Sequence, residues 1–291
     1  MAKKSWAPCP IKDKAFDYSG DKLAKAWLKL HAGDQEPFPD ETHVDVLLKA
    51  NPKLGKDAAA IAADLQEAWR DFHRGEFQRA YESGLARKAL GASVAIKAAG
   101  IHAGRLVDDP ASVTSRYEDL VRLAEEAVIA LPGQVNSHFR RAFALGRLSQ
   151  SISIAKALAQ GLAGKVRESL ETTLKMTSKH AEASTALGLY HAEIVGKVGG
   201  MLAKLTYGAN ASDAEKHLKA ALKLTPASPI AWIEYGNGLL LLHGDKREDD
   251  VARSLRQGCQ AQAHGCDGSA GRELGARADR VNPGFGIGES E

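Results

Sequence analysis

Residues 212–242 read SDAEKHLKAALKLTPASPIAWIEYGNGLLLL, and the spacing within this stretch decides the fold class. It contains a small–large–small–proline series at intervals of 4, 3 and 5 residues: Ala214, Leu218, Ala221 and Pro226. Intervals of three and four residues place side chains on one face of an α-helix, and a proline ends a helix at low cost. Small residues allow two helix backbones to approach, and large residues fill the space beside them. The stretch therefore predicts antiparallel helix pairs that stack on one another.

Weaker copies of the series occur elsewhere in the chain. Two of them repeat the 4, 3, 5 spacing: Leu120, Ala124, Ala127 and Pro132, and then Val166, Leu170, Thr173 and Ser178. Partial copies include Ala68, Ala80, Ala252, Arg256 and Cys259. Ser115 with Glu118, and Ser212 with Glu215, predict capping boxes that begin two of the helices. The repeat-like region is predicted to cover residues 57–262.

The series resembles the tetratricopeptide repeat, in which each unit is an antiparallel helix pair. Residues 187–226, LGLYHAEIVGKVGGMLAKLTYGANASDAEKHLKAALKLTP, are also similar to the regulator-of-microtubule-dynamics family and to the T component of TRAP transporters. That similarity depends on Leu187, Gly188, Leu205, Tyr207, Gly208, Ala214, Leu218, Ala221 and Pro226. It implies an all-α fold, a tetratricopeptide-like right-handed helical solenoid.

Two stretches are longer than the standard repeat allows. The chain between Leu145 and Val166, and that between His191 and Ala214, each exceed the usual spacing by about three to four helical turns. Both are helix-compatible and partly apolar, so they predict two elongated helical inserts. Inserts in stacked repeats project from one face, which is often the binding face.

The ends of the chain differ from the repeat region. Residues 1–56 are predicted to be an N-terminal helical cap, because Leu23, Trp27 and Leu30 share one face of a short helix. A proline- and acid-rich loop, AGDQEPFPDETH, follows that helix. Residues 263–291 are glycine-rich and are predicted to be a loosely ordered tail.

Composition excludes several classes of function. Thirty-nine basic and 36 acidic residues give a net charge of +3, which does not favour a nucleic acid as partner. Three cysteines in 291 residues do not make a disulfide framework and suggest a reducing compartment. No apolar run is long enough for a secretory signal or a membrane span. We expect a cytoplasmic protein without stable membrane insertion, and the sequence leaves the oligomeric state open.

No set of residues predicts catalysis. Cys259, His264 and Cys266 lie close in sequence, but a fourth zinc ligand is not evident, and Cys259 occupies a small-residue position of its repeat. His138 and His191 are isolated, and neither a phosphate-binding loop nor a nucleophile–base arrangement occurs. We therefore expect a non-enzymatic protein with no cofactor and no metal.

A binding groove is the stronger hypothesis. In stacked helix pairs the first helix of each pair lines the concave surface, where partner peptides lie. The predicted binding residues on these helices are Asn136, Phe139, Phe143, Arg147, Thr185, Leu189, Ile233 and Asn237. The apolar members would anchor a peptide, whereas Arg147 and Asn237 could bind a carboxylate or a backbone. Alternatively, the two phenylalanines belong to the core.

Two functions follow from these observations. The first is a helical-repeat scaffold that binds a peptide or protein segment in its concave groove. The alternative is a protein that binds a small molecule, a lipid or an organic anion, in an apolar channel under the inserts, as the TRAP transporter resemblance implies. A cavity of about 300 Å³ or more would support this alternative. Its expected lining residues are Leu158, Leu162, Val198 and Met201.

Overall fold

A computed structural model describes residues 6–265 of the chain. These residues form helices joined by turns, and no β-strand occurs among them, which confirms the all-α prediction for this part of the protein. The α-helices are, in chain order, α1 (Lys22–Leu30), α2 (Glu41–Ala50), α3 (Ala58–His73), α4 (Phe77–Ala86), α5 (Lys88–Leu106), α6 (Pro110–Ala130), α7 (Val135–Ser151), α8 (Ile154–Ala159), α9 (Leu162–Met176), α10 (Ala181–Val198), α11 (Gly200–Leu202), α12 (Ala211–Leu224), α13 (Pro229–His243) and α14 (Glu248–Gly265). Short 3₁₀ turns cover Lys14–Phe16, Pro52–Leu54 and Gly244–Arg247, and a π-helical turn covers Ala203–Tyr207.

The helices form two compact units. Unit 1 contains the described part of residues 1–31 together with Gln35–Ile152, and unit 2 contains Ala32–Asp34 together with the described part of residues 153–291. In unit 1, α3 to α7 pack in chain order, and α5 also contacts α3 and α7. In unit 2, α10 packs against α9, α12 and α13, and α13 packs against α14. The predicted domain limits at residues 56 and 262 stay a prediction.

The predicted small–large register is confirmed in the first stretch quoted above. Ala214, Leu218 and Ala221 are at most 1% exposed. A Cβ on Gly188 of α10 would lie 2.7 Å from Leu218 Cγ and 3.0 Å from the Ala214 carbonyl oxygen. Helices α10 and α12 therefore approach closely because residue 188 has no side chain.

Helix starts differ from the predicted capping boxes. Helix α6 begins at Pro110, where the Asp109 carboxylate accepts a hydrogen bond from the Ser112 amide at 2.9 Å. Helix α12 begins at Ala211, where the Asn210 side chain accepts one from the Asp213 amide at 2.8 Å. Asp and Asn are strong N-caps, and proline suits the first helical position, so the helices start earlier than the serines predicted. Both capping-box predictions are wrong.

The predicted register of the last helix is also wrong. In α14, Cys259 is exposed, and the buried positions are Ser254 and Gly258. A Cβ on Gly258 would lie 3.0 Å from Ile233 Cγ1 and 3.2 Å from the Pro229 carbonyl oxygen. The close contact with α13 therefore favours glycine at 258, and Cys259 lies on the exposed side of the helix. Cys266 and the predicted tail after residue 265 lie outside the described residues.

The two inserts are helical but broken. The first leaves α7 at Ile152 and forms the short helix α8, after which Gly161 adopts a φ of +62° before α9 begins. The second leaves α10 at Gly199, with a φ of +79°, and continues through α11 and the π-helical turn to Gly208. Glycines in left-handed conformations change the chain direction, so neither insert simply lengthens a repeat helix.

The N-terminal helices belong to the core of unit 1. Leu23 and Trp27 are buried in one cluster with Trp69 and Phe72 of α3, and Leu30 packs against it. The predicted apolar face of α1 is therefore confirmed. Among the helices of residues 6–265, none is both long enough and apolar enough to cross a membrane.

Candidate functional site

A segment of the chain itself lies on the face that α3, α5 and α7 form in unit 1. We call Gln35–Asp40, between α1 and α2, the strap. It has no regular secondary structure. Pro37 and Pro39 fix their own φ angles and bias the preceding residues towards extended conformations. The strap therefore has little conformational freedom to lose when it lies against the helices.

The carboxylate of Glu36 is held by three side chains, which we call the carboxylate pocket: Ser93 of α5 with Asn136 and Arg140 of α7. Ser93 Oγ donates to Glu36 Oε2 at 2.5 Å, Asn136 Nδ2 donates at 2.8 Å, and Arg140 Nη2 lies at 3.4 Å. Arg140 Nε also donates to Ser93 Oγ at 3.0 Å, so the arginine orients the serine. All three donors converge on one oxygen, and the arginine among them favours an acceptor that carries a negative charge, as the Glu36 carboxylate does.

The main chain of the strap is held as well. Trp27 Nε1 donates to the Glu36 carbonyl oxygen at 2.7 Å, and Gln66 Nε2 of α3 donates to the Pro39 carbonyl oxygen at 3.0 Å. The Phe38 ring meets the Trp27 ring edge to face, with centroids 5.1 Å apart. The strap is thus bound through its backbone, one carboxylate and one aromatic ring, which are the contacts by which helical proteins bind extended peptides.

Burial makes these contacts energetically important. The side chain of Arg140 is 3% exposed and that of Glu36 is 11% exposed. A cavity of only about 40 Å³, about the size of one water molecule, remains between the strap and the helices. Removing one partner of such a pair leaves a buried charge without its counter-charge, which costs about 3–5 kcal/mol.

Four of the sequence-predicted binding residues lie on α7 of unit 1. Asn136 is part of the carboxylate pocket, and Phe139 is 4% exposed, with the Arg140 guanidinium 5.3 Å from its ring centroid. The Phe143 ring lies directly on the backbone of α5 at Gly100, and the Arg147 guanidinium is 5.6 Å from that ring. Phe139 is therefore buried in unit 1, whereas Phe143 packs on α5 and is half-buried.

The other four lie in unit 2. Thr185 and Leu189 are on α10, and Leu189 is 3% exposed. Ile233 of α13 packs towards Gly258 of α14, and Asn237 donates to Glu234 Oε2 at 3.1 Å on its own helix.

Sequence reasoning missed Glu36, Ser93 and Arg140. Arg140 is four residues after Asn136 and shares its helix face, so the predicted stripe passes beside it. Glu36 lies in the acidic, proline-rich loop, but nothing in that loop indicates which helices it contacts.

Unit 2 contains an open cleft of about 690 Å³. Helix α8 and the first residue of α9 form one wall through Leu158 and Leu162, and the π-helical turn forms another through Tyr207. Polar groups of α9 reach the same space: Arg167 donates to the Tyr207 carbonyl oxygen at 3.0 Å and to Glu171 Oε1 at 2.7 Å. The cleft therefore has apolar walls and a charged floor.

Burial shifts the pKa values of two neighbouring residues of α10, of which Tyr190 lines the cleft. Desolvation raises the pKa of Tyr190 to about 12, and its hydroxyl donates to the Tyr207 carbonyl oxygen at 3.3 Å. Desolvation also lowers the pKa of His191 to about 4, and its ring stacks on that of His217 with centroids 6.1 Å apart. Both side chains are therefore neutral near pH 7 and act as packing groups there.

The described residues supply binding groups rather than an assembled metal centre. Between residues 6 and 265, no three His, Cys, Asp or Glu side chains come together in a way that could hold a metal ion. No protein-family model matches the chain, and no curated protein matches it either.

Proposed function

We propose that the protein is a non-enzymatic helical-repeat scaffold that binds a peptide or protein segment on the first helices of its tetratricopeptide-like pairs. In unit 1, α3 packs against α4 and α5 against α6, as the two helices of a repeat pair would, and α7 packs against α6 and α5. The observation that carries the proposal is the strap, because a segment with two prolines, held through the carboxylate of Glu36, already lies on these helices.

The physical chemistry of that face supports peptide binding. Gln66 and Trp27 donate to main-chain carbonyl oxygens, which any peptide carries, so they supply affinity independent of sequence. Arg140 and Asn136 donate to a carboxylate, which only some peptides carry, so they supply selectivity. Because the donors lie on helices, they are held in place before a peptide binds.

A peptide-display screen tests the proposal. A random library is selected on the immobilised full chain, both wild type and a strap-weakened variant, Glu36→Gln/Phe38→Ala. We expect enriched peptides whose binding falls at least about tenfold in Asn136→Ala and is unchanged in Gln150→Ala, a control on the same helix. If neither protein retains any peptide, scaffold function at this face is refuted.

A second candidate function is favoured by the cleft in unit 2. Its volume of about 690 Å³ exceeds the 300 Å³ expected for a small-molecule site, and Leu158 and Leu162 line it as expected. Val198 and Met201 do not line it, and Met201 is 82% exposed. The candidate ligand is an amphipathic small molecule with a polar end near Arg167.

Native mass spectrometry of the purified full chain tests this second candidate. A bound organic molecule should be lost in Leu158→Asp, where an apolar wall of the cleft gains a charge. The matched control is Leu240→Asp, because Leu240 is as exposed as Leu158 (49% against 48%) but lies outside the cleft. A mass that shows only the unliganded protein, or equal loss in both variants, would contradict it.

A further inference from the structure

The strap occupies the face on which the proposed function depends, so its chemistry indicates the chemistry of a partner that binds there. It spans Gln35–Asp40; the turn of residues 31–34 joins it to α1, and Asp40 directly precedes α2. A free partner that uses the same helices must therefore displace it.

We propose that the strap is an intramolecular competitor, and that the partner is an acidic, proline-containing peptide of the same chemistry. This inference rests on the proposed function, and it adds the chemical class of the ligand and the way in which access is controlled. The partner would present a carboxylate followed by proline, with an aromatic side chain two residues after the carboxylate, as Glu36, Pro37 and Phe38 do in the strap.

The buried arginine is the reason for a carboxylate. Arg140 is 2% exposed and lies deep in the carboxylate pocket, so the face is unstable when no anion is present. A neutral peptide could use Gln66 and Trp27, but it would leave the guanidinium without a counter-charge. Only a ligand that replaces the Glu36 carboxylate can exchange with the strap at small net cost.

The aromatic ring and the prolines define the rest of the ligand. Phe38 contacts Trp27 edge to face, and the Trp27 indole also donates to the Glu36 carbonyl oxygen. The ring and the backbone of a ligand would therefore be bound together at one tryptophan. Prolines keep the segment extended before binding, which lowers the entropy lost on binding.

Tethering makes the competition strong. A short tether holds a ligand at an effective concentration of roughly 1 mM. A segment with an intrinsic Kd of about 10 µM would then be bound about a hundred times more often than unbound. A free peptide would bind wild type correspondingly weakly. Weakening the strap should restore most of the intrinsic affinity.

The test uses a fluorescent peptide with the sequence of residues 34–41, DQEPFPDE, titrated by anisotropy into the full chain. We expect Glu36→Gln/Phe38→Ala to bind it at least about tenfold more tightly than wild type does. A peptide with glutamine in place of the glutamate before the first proline should bind the variant at least tenfold more weakly. Glu41→Ala, an exposed acidic residue just after the strap, is the matched control and should behave as wild type.

A thermal melt supplies a second measurement that does not depend on the label. The DQEPFPDE peptide should raise the melting temperature of the variant and not that of wild type, because it replaces the lost carboxylate. If the double variant unfolds, the single variant Phe38→Ala, which keeps the Glu36 carboxylate, replaces it in both measurements.

The outcomes separate this inference from the proposed function. Equal affinity of wild type and variant for the DQEPFPDE peptide overturns the competition and leaves peptide binding intact. Display peptides that bind through Asn136 but lack any acidic residue overturn the ligand class alone. Absence of binding in both the titration and the display screen overturns the inference together with the proposed function.

Discussion

Helices α4 and α5 of unit 1 approach each other so closely that adding a single methyl group between them should lower the stability of the fold. Helices α4 and α5 meet at Gly84 and Gly91. A Cβ on Gly84 would lie 2.8 Å from the Gly91 carbonyl oxygen, and a Cβ on Gly91 would overlap the Gly84 carbonyl group. Because the obstacle is backbone and cannot rotate away, Gly91→Ala must push the two helices apart.

The magnitude follows from two opposing effects. Replacing glycine by alanine inside a helix stabilises it by about 1 kcal/mol. Overpacking costs about 1–3 kcal/mol, and a rigid neighbour places the cost at or above the upper end of this range. Separation also loosens the buried contacts of Ala80, Val94 and Ala95. We expect a net loss of about 2 kcal/mol in the free energy of unfolding, or about 4–8 °C in Tm.

Chemical denaturation followed by circular dichroism measures this loss. Gly164→Ala is the matched control, because residue 164 lies in the first turn of α9 and a Cβ there would meet nothing within 4 Å. The control should leave stability unchanged or raise it by up to about 1 kcal/mol. If Gly91→Ala is as stable as wild type, the close approach of α4 and α5 is refuted.

Three further predictions concern buried or strained groups. Burial lowers the pKa of His191 from 6.5 to about 4, so the unfolded chain binds a proton that the folded chain does not. This residue should lower the free energy of unfolding by up to about 3 kcal/mol as pH drops from 6.5 to 4, and denaturation of His191→Phe should show a correspondingly smaller slope than wild type. A hydrogen bond from Lys219, with smaller contributions from other basic groups, lowers the pKa of Glu215 from 4.5 to about 2, so the stabilisation by its carboxylate is complete above pH 4.5 and is lost towards pH 2. Because the site is partly exposed, urea denaturation of Glu215→Gln at pH 7 should show a loss of only about 1 kcal/mol in the free energy of unfolding, and no loss would contradict the assignment. Lys88 has a φ of +50°, so Lys88→Gly should raise stability by about 1 kcal/mol in thermal melts, whereas Lys97→Gly within α5 should lower it by a similar amount.

The helix pairs were predictable because the information that specifies them is local. Ala214, Leu218 and Ala221 occur within eight residues, and helical geometry alone places them on one face. The same local logic misplaced the helix starts, since Asp109 and Asn210 outcompete the downstream serines as N-caps. It also missed Gly91, because a glycine near a helix start indicates nothing until the opposing residue, Gly84, is known.

The strap was not predictable, because its contacts are distant in sequence. Glu36 and Arg140 are separated by 104 positions, and no periodicity links a loop residue to a helix that far away. The hypothesis that the groove binds a carboxylate assigned this role to Arg147 and Asn237. In the structure Arg140 and Asn136 hold a carboxylate within unit 1, and Arg140 lies about two helical turns before the predicted Arg147.

Stability and binding should therefore change in opposite directions when the strap is altered. The donors that hold Glu36 stabilise unit 1, and the same donors would hold a partner's carboxylate. Weakening the strap must lower the free energy of unfolding, and under the competition proposed here it must also raise the affinity for an acidic peptide. A strap with a purely structural role would produce the first effect without the second, because no ligand would then recover the energy that the carboxylate pocket loses. The sign of the correlation between melting temperature and peptide affinity across strap variants thus distinguishes a structural loop from an intramolecular ligand.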